Sequence, residues 1–562
     1  SEVAVVMREL EHVVDATGCE AELMDAPGAI VIGAGHNGLI CAAYLQRAGI
    51  PTLVLEARSV IGGNAGTDID LGGARCNICN CEHTMVRATP IAEELRLAEH
   101  GLRYLEPEIT QVNLHGSGGP AWFQFHDLER TLAGLAHSFP GEVERYRAYA
   151  KAAMPVARMV LDLANDVPTP GSVIPRLASP ARAVAVATML RWRRRSIAEM
   201  ARSLFGAVEL QTPMITTGPS VWGLSPDTPG TGLGAIGYAM RHVQPIGRPV
   251  GGSGALPEAV ASSLRAMGGA VRTAARVEAI LCERDRVRGV RLVGGEELTA
   301  PIVVVATDPA SALLDWITDP PPALAPLVGS YRGHPVHDGY ESKVDAVVDR
   351  RYRYRRVDDA LLAAVGIDSH DTVVNSTTII SRSIEDLAAA HALYRQGRIA
   401  EQPQLFANLP SVLDPSMSAG IPGGGDVFSL EVLWTPYGLT GGWEGSAEPR
   451  RWLEVFGGHV DTGGVPFLDT VRAWRLMGPK EYEQEFGMRR GHAPAFSGSP
   501  FSALLGRDPD LTRYETPLAG LYLTGAATFP GAGVWGASGR NCASMVLRPR
   551  TRRSPGRGRG SG

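Results

Sequence analysis

A chain of 562 residues is too long for one simple core and has room for two or three lobes. Hydrophobic residues at 44% and charged residues at 20% are ordinary for a globular protein, and a net charge of -5 gives a nucleic-acid partner no electrostatic support. Seven scattered cysteines, an odd number, argue against a secreted disulfide framework. Residues 7–22 carry acids and lack an apolar h-region, and no window reaches the roughly 18 uninterrupted apolar residues of a membrane span. The expectation is a cytoplasmic protein.

In chain order, residues 1–27 read as a helical extension, with Val5, Val6, Leu10, Val13 and Val14 at helical spacing. Ala29-Ile30-Val31-Ile32 is a buried-strand signal. A glycine turn follows, then a helix pattern over 37–48 with Gly49 as C-cap, then the strand Thr52-Leu53-Val54-Leu55-Glu56, which completes a βαβ unit. Residues 166–182, with Pro168, Pro170, Pro175 and Pro180, read as a linker. A basic helix over 183–205 carries Arg191, Arg193, Arg194 and Arg195 around Trp192. Strand patterns follow at 277–281, 287–292 and 302–306, and the alternation over 427–434 fits a strand with one solvated face. Leu521-Tyr522-Leu523-Thr524 is a last strand before a glycine turn and a helix, and the tail 548–562, with six arginines among Gly, Pro and Ser, reads as disordered.

Gly33-Ala34-Gly35-His36-Asn37-Gly38 is a G-x-G-x-x-G string, weak alone but here set between a predicted strand and a predicted helix. Gly33 permits the tight turn, Gly35 lets backbone approach a pyrophosphate, and Gly38 lets the helix pack close to the sheet. The helix N-terminus then offers free N–H groups to phosphates. Glu56, 18 residues after Gly38, stands where a carboxylate accepts hydrogen bonds from a ribose.

After Glu56 the chain continues Ala57-Arg58-Ser59-Val60-Ile61-Gly62-Gly63-Asn64-Ala65. This resembles the E-x-R-x-x-x-G-G extension of the flavoprotein superfamily that holds amine oxidases and phytoene desaturases. Near the other end, Gly525-Ala526 and Gly533-Val534-Trp535, followed by Gly536 to Asn541, resemble the closing flavin motif of phytoene desaturases. The closer likeness is to the carotene-ketolase-like branch that includes the pyridine nucleotide-disulfide oxidoreductase domain 2 proteins. The resemblance implies non-covalent FAD, with Gly33, Gly35, Asn37, Gly38, Glu56, Ala57, Arg58, Gly62, Gly63, Asn64, Ala65, Val277, Gly525, Ala526, Gly533, Val534 and Trp535 at the cofactor. Phe529 stands where many relatives carry His, which puts a borrowed proton-transfer role in doubt.

The expected fold is α/β: a Rossmann-type FAD-binding domain of glutathione reductase/amine oxidase type, with a mixed-sheet substrate domain and a helical cap. The FAD domain is drawn from 28–130, 250–310 and 500–547, and the substrate domain from 131–249 and 311–499. The resemblance implies dehydrogenation of an apolar isoprenoid or natural-product substrate by hydride transfer to flavin N5, with oxygen or a quinone as acceptor. Glu82 or His83 is a candidate for proton handling, beside His492 for substrate contact and Trp535 at the ring. The segment Cys76, Cys79, Cys81, His83 leaves three further readings open: a zinc site, a covalent FAD anchor at Cys81 or His83, and plain packing. No metal is expected at the site. The basic helix around Trp192 is a candidate for peripheral membrane contact. The alternative enzyme is a flavin amine oxidase. The alternative of another class is a non-catalytic protein like the GDP-dissociation inhibitors.

Overall fold

Four-residue strands of Ile, Val and Leu, buried on both faces, belong in a parallel sheet. Three such strands, with a three-residue strand at each edge, form one in the computed structural model, which describes residues 27–79, 81–493 and 506–548. Their order is Leu521–Leu523, Ile302–Val305, Ala29–Ile32, Thr52–Leu55, Ala270–Arg272, every pair parallel. Alternate side chains divide between two cores. Val31, Val54 and Val304 pack under the helices His36–Arg47 and Ala255–Ala266, while Ile30, Ile32, Val303 and Val305 meet the three-stranded antiparallel sheet of Val277–Glu283, Arg286–Leu292 and Glu297–Thr299. The Rossmann-like sheet is thus assembled from three distant stretches of chain. The expected N-terminal extension up to residue 26, Asn80, residues 494–505 and the arginine tail from 549 lie outside the described residues.

The second sheet has seven strands in the order Val471–Met477, Glu341–Val348, Asp426–Leu433, Leu405–Asn408, Thr378–Ser381, Gln111–His115, Trp122–Gln124. It is antiparallel except where Thr378 to Ser381 runs alongside Val112 to His115. Residues 111–124, grouped with the first lobe on sequence, therefore pair with the second. Their partner strand lies more than 250 residues downstream, beyond any local pattern. One face of this sheet buries Val344, Phe428 and Leu430 against Tyr352, Trp452 and Phe456.

Helices Val143–Ala164, Ala183–Trp192, Ile197–Leu204, Val208–Thr216 and Gly237–Val243 gather around Tyr146, Tyr149, Phe205 and Tyr238. Trp192 joins this core, stacked on Tyr149 with ring centroids 6.3 Å apart, so it presents no ring to a membrane interface; Arg191, Arg194 and Arg195 beside it are exposed. The proline-rich stretch read as a linker contains a helix, Pro170–Leu177. Thr169 and Ser172 close a capping box there, and Pro170 sits in the first turn, where its missing N–H costs nothing. No single helix among the described residues is long and apolar enough to cross a membrane.

Candidate functional site

The strand Ala29–Ile32 ends at Gly33, whose φ of +102° is left-handed, and the chain turns directly into the helix His36–Arg47. A Cβ at Gly38 would lie 2.1 Å from the Gly33 carbonyl oxygen and 2.9 Å from the Ala306 Cβ, so only glycine lets this helix sit so close to the sheet. At Gly35 the nearest protein atom to such a Cβ is 4.0 Å away, which leaves room over the backbone. The helix has no side-chain N-cap, so its first N–H groups are left for a ligand. The second glycine pair is fastened to this turn: the Gly62 N–H donates to the Ala34 carbonyl at 2.9 Å. Glu56 accepts from the Ala34 N–H at 2.8 Å and from the Arg58 N–H at 2.9 Å, and its remaining lone pairs are free to accept from hydroxyls.

One cavity of about 580 Å³ starts at the carboxyl ends of the parallel strands and continues to the inner face of the seven-stranded sheet. Gly33, Gly35, Asn37, Glu56, Ala57, Arg58, Gly62, Gly63, Asn64, Ala65, Val277, Gly525, Ala526, Gly533 and Val534 all line it. Gly38 and Trp535 do not. Gly38 is spent on helix packing, and Trp535 is buried with Leu161, Ala164 and Ala537. At the same cleft, His36 Nε2, Asn37 Oδ1, Arg58 Nη1 and Thr307 Oγ1 are buried with no hydrogen-bond partner among the described residues. Donors and acceptors left open around an uncapped helix N-terminus, beside an anchored carboxylate, fit a phosphate-bearing dinucleotide. Sequence reasoning missed Thr307, Asp308 and Ser311 in this lining; the signal was the end of the strand Ile302–Val305, which by the crevice rule must also face the ligand.

The cavity's far wall comes from three neighbouring strands. Glu341 and Lys343, Ser429 and Glu431, and Phe406 and Asn408 point from them into the cavity. The alternation over 427–434 that read as a solvated strand face is real, but its polar side faces this interior chamber. Lys343 is neutralised by Asp345, two residues along the same face of its strand, which also meets Arg475, and it donates to the Asn77 carbonyl. Among the described residues Glu341 accepts only the Cys79 thiol, at 3.5 Å. Burial raises the Glu341 carboxyl to about 7, and burial with the neighbouring Glu341 charge raises Glu431 to about 8.

The segment after the first flavin-like motif diverges to separate neighbours. His83 is fully buried outside the cavity lining, with Nε2 at 2.7 Å from Ser253 Oγ and Nδ1 at 3.1 Å from the Tyr104 hydroxyl. Burial holds its pKa down to about 3, so the ring is neutral and packed, not a proton carrier facing substrate. Glu82 lines the cavity but is tied to Arg248 at 3.0 Å and accepts from Thr377. Cys79 and Cys81 line it too, their thiols pushed up by burial, while Cys76 is buried in the strand Ala74–Asn77. Of the two residues considered as covalent anchors, then, only Cys81 faces the cavity. Cys76, Cys79, Cys81 and His83 do not converge on one point, and among the described residues no group of three or more His, Cys, Asp or Glu is placed to hold a metal. His492 stands outside the lining, against the Asp338 carbonyl at 3.3 Å and beside the rings of His337 and Tyr340.

Comparisons with known proteins agree with this architecture. Residues 31–88 match the NAD(P)-binding Rossmann-like domain, and residues 192–337 match the flavin containing amine oxidoreductase family. The chain is 28% identical to the pyridine nucleotide-disulfide oxidoreductase domain-containing protein 2 of Rattus norvegicus, over 95% of each chain. It is 24% identical to the lycopene-forming phytoene desaturase of Pseudescherichia vulneris, over 92% of this chain and 98% of that one. A solved putrescine oxidase variant superposes with a TM-score of 0.57 at 16% identity, covering 93% of this chain and 99% of the other. The non-catalytic alternative is set aside by these matches. The chain is an FAD-dependent oxidoreductase, homologous to phytoene desaturases and built on the amine oxidase fold.

Proposed function

We propose that the protein dehydrogenates a carbon–carbon bond of an elongated, mainly apolar substrate, and that oxygen or a quinone takes the electrons onward. The observation that carries this reading is the continuity of the cavity from the dinucleotide cleft to the chamber on the seven-stranded sheet. Trp222, Met240, Phe406, Phe486 and Met488 supply its apolar surface, and the phytoene desaturases matched over most of the chain act on a substrate of that character. Bound FAD supplies the two-electron acceptor for such a reaction. The protein's own part is to hold and orient. Glu56 and the uncapped helix N-terminus fix the dinucleotide, and the cap helices close over the substrate and exclude water. Contact of the exposed arginines 191, 194 and 195 with an anionic bilayer would serve the delivery of such a substrate.

Anaerobic mixing of the FAD-loaded protein with long polyenes presented in lipid vesicles tests the reading. Bleaching of the flavin bands, with a product two hydrogens lighter, is expected. Bleaching by simple amines and by no polyene would replace the proposal with amine oxidation.

A further inference from the structure

The chamber wall opposite the dinucleotide cleft is unusual for an apolar substrate, because it carries two carboxyl groups and an open amide oxygen. In the register of the sheet Lys343 lies opposite Glu431, and Glu341 opposite Leu433, which sets Glu341 and Glu431 on a diagonal of the same face. On the next strand Phe406 lies opposite Glu431, and Asn408 opposite Ser429. Glu341, Glu431 and Asn408 therefore lie along one diagonal of the cavity face, with Glu431 between the other two.

Two carboxylates in one buried patch are costly unless something pairs them. Elsewhere the protein pairs its buried charges: Lys343 with Asp345, Arg248 with Glu82, Arg475 with Asp68 and Asp345. Lys343, the cation nearest the pair, is already spent on Asp345 and the Asn77 carbonyl. No hydrogen bond or ion pair reaches the Glu431 carboxylate from the described residues, and Glu341 has one weak thiol donor. Independently, Asn408, only 7% exposed, lines the same cavity; its Nδ2 donates to the Cys81 sulfur at 3.7 Å, while its Oδ1 has no hydrogen-bond partner among the described residues. Two carboxyl groups and an open amide oxygen from three strands, with no cation of the protein paired to them among the described residues, define the complement: a group rich in N–H and positively charged, which would draw the carboxyls into their charged forms. Tyr340 and Phe406 flank the patch with aromatic surface suited to such a cation.

We propose that Glu341, Glu431 and Asn408 form a recognition site for an ammonium or guanidinium head on an otherwise apolar substrate. This rests on the chamber being the substrate site, as proposed above, and adds the class of polar group the substrate carries. A cation seated between the two carboxylates favours their charged forms, so its binding expels the proton they hold at neutral pH. The titratable and charged groups facing the pair are Cys79 from the loop, Tyr340 just before the strand Glu341–Val348, Lys343 within it, and Tyr482 from the helix Pro479–Phe486. Burial keeps the Cys79, Tyr340 and Tyr482 groups protonated through neutral pH, which leaves Glu341 and Glu431 to govern the pH dependence.

The test uses the FAD-loaded protein and three probes of equal chain length: n-octylamine, n-octanol and n-octanoate, followed by perturbation of the flavin absorption bands. The amine stays protonated across neutral pH, as a lysine does with its pKa of about 10.4. It should bind more tightly than the alcohol, and its affinity should rise between about pH 6 and pH 9 while that of the alcohol stays flat. Glu431→Gln and Glu341→Gln should each weaken the amine about tenfold and leave the alcohol unchanged, and Asn408→Asp should strengthen the amine. Retained flavin bands show that each variant is folded. Equal binding of amine and alcohol, or amine binding indifferent to all three substitutions, overturns the head-group site and leaves the dehydrogenase reading standing. Conversely, anaerobic bleaching of the flavin by octylamine itself supports the site and overturns carbon–carbon dehydrogenation.

Discussion

The two ends of the cavity are made in different ways. The dinucleotide cleft is made of backbone: a glycine turn, a second glycine pair bonded to it, and one carboxylate held by two N–H groups. Its parts lie within about thirty residues of each other. The chamber is made of strand faces, from side chains near positions 80, 341, 406 and 431 that meet only through sheet register. The cleft is thus specified by what its residues permit the backbone to do, the chamber by which way its side chains point. Substitutions at the first should act through steric fit and cofactor retention, and at the second through charge and pH.

The largest effect is expected at Gly38. A valine there drives its Cβ into the Gly33 carbonyl and the Ala306 side chain, both fixed, at a cost of about 3 kcal/mol or more. Gly38→Val should yield little folded protein. Gly35→Ala, with no protein atom nearer than 4.0 Å to the new Cβ, should fold normally yet lose FAD, because the methyl occupies space over the uncapped helix. Thermal unfolding and the FAD content of the two variants check this. A Gly35→Ala protein that keeps FAD as tightly as the parent would sink the placement of the pyrophosphate.

Glu56→Ala comes next. It strands the Ala34 and Arg58 N–H groups, a loss of about 1–3 kcal/mol, and removes the carboxylate offered to the ribose. Titration of the apoprotein with FAD should show weakened affinity, with Glu56→Gln intermediate because its amide keeps one acceptor.

A smaller and pH-dependent effect is expected at Glu431. Its carboxyl is raised in the folded state, so the folded protein binds the proton more tightly than the unfolded chain does. The stability that this proton contributes is complete below the unfolded value of about 4.3 and is lost as pH rises through the folded value of about 8. Glu431→Gln cannot lose it. The variant should therefore melt several degrees higher than the parent at alkaline pH and close to it in acid. A constant offset across the pH range would show that the chamber carboxylates do not share the strained environment described here.

These contrasts explain what could be read from sequence. The cleft was legible because its motif is local: Gly33, Gly35, Glu56, Gly62 and Gly63 each answer a backbone requirement that spacing alone expresses. The chamber was not. Glu431 shows the reason, since a strand that alternates apolar and polar residues has the same pattern whether its polar face meets solvent or a cavity. Glu341 and Asn408 carry no signal apart from their pairing partners. Trp535 and Trp192 misled in the opposite direction, because an aromatic residue beside glycines or arginines draws a functional reading while burial accounts for it. The strands at 111–124 were grouped with the wrong lobe because their parallel partner is distant in sequence.

The smallest effects are expected at the two histidines first considered for chemistry, and they separate packing from catalysis. His83 is satisfied on both nitrogens inside the protein, so His83→Phe should cost about 1–3 kcal/mol through the stranded Ser253 and Tyr104 hydroxyls. It should leave the pH profile of substrate-dependent flavin reduction in place, because a ring held neutral down to about pH 3 has no proton to exchange near neutrality. Among the described residues His492 makes one long hydrogen bond, to the Asp338 carbonyl, beside the rings of His337 and Tyr340, and lies outside the cavity lining, so His492→Ala should change neither FAD content nor the rate of flavin reduction measurably. A shifted pH profile in His83→Phe, or slowed reduction in His492→Ala at unchanged stability, would mean that the working chamber extends beyond the wall of Glu341, Asn408 and Glu431. The line drawn here between a backbone-built cleft and a side-chain-built chamber would then have to be moved toward the Asp338 loop.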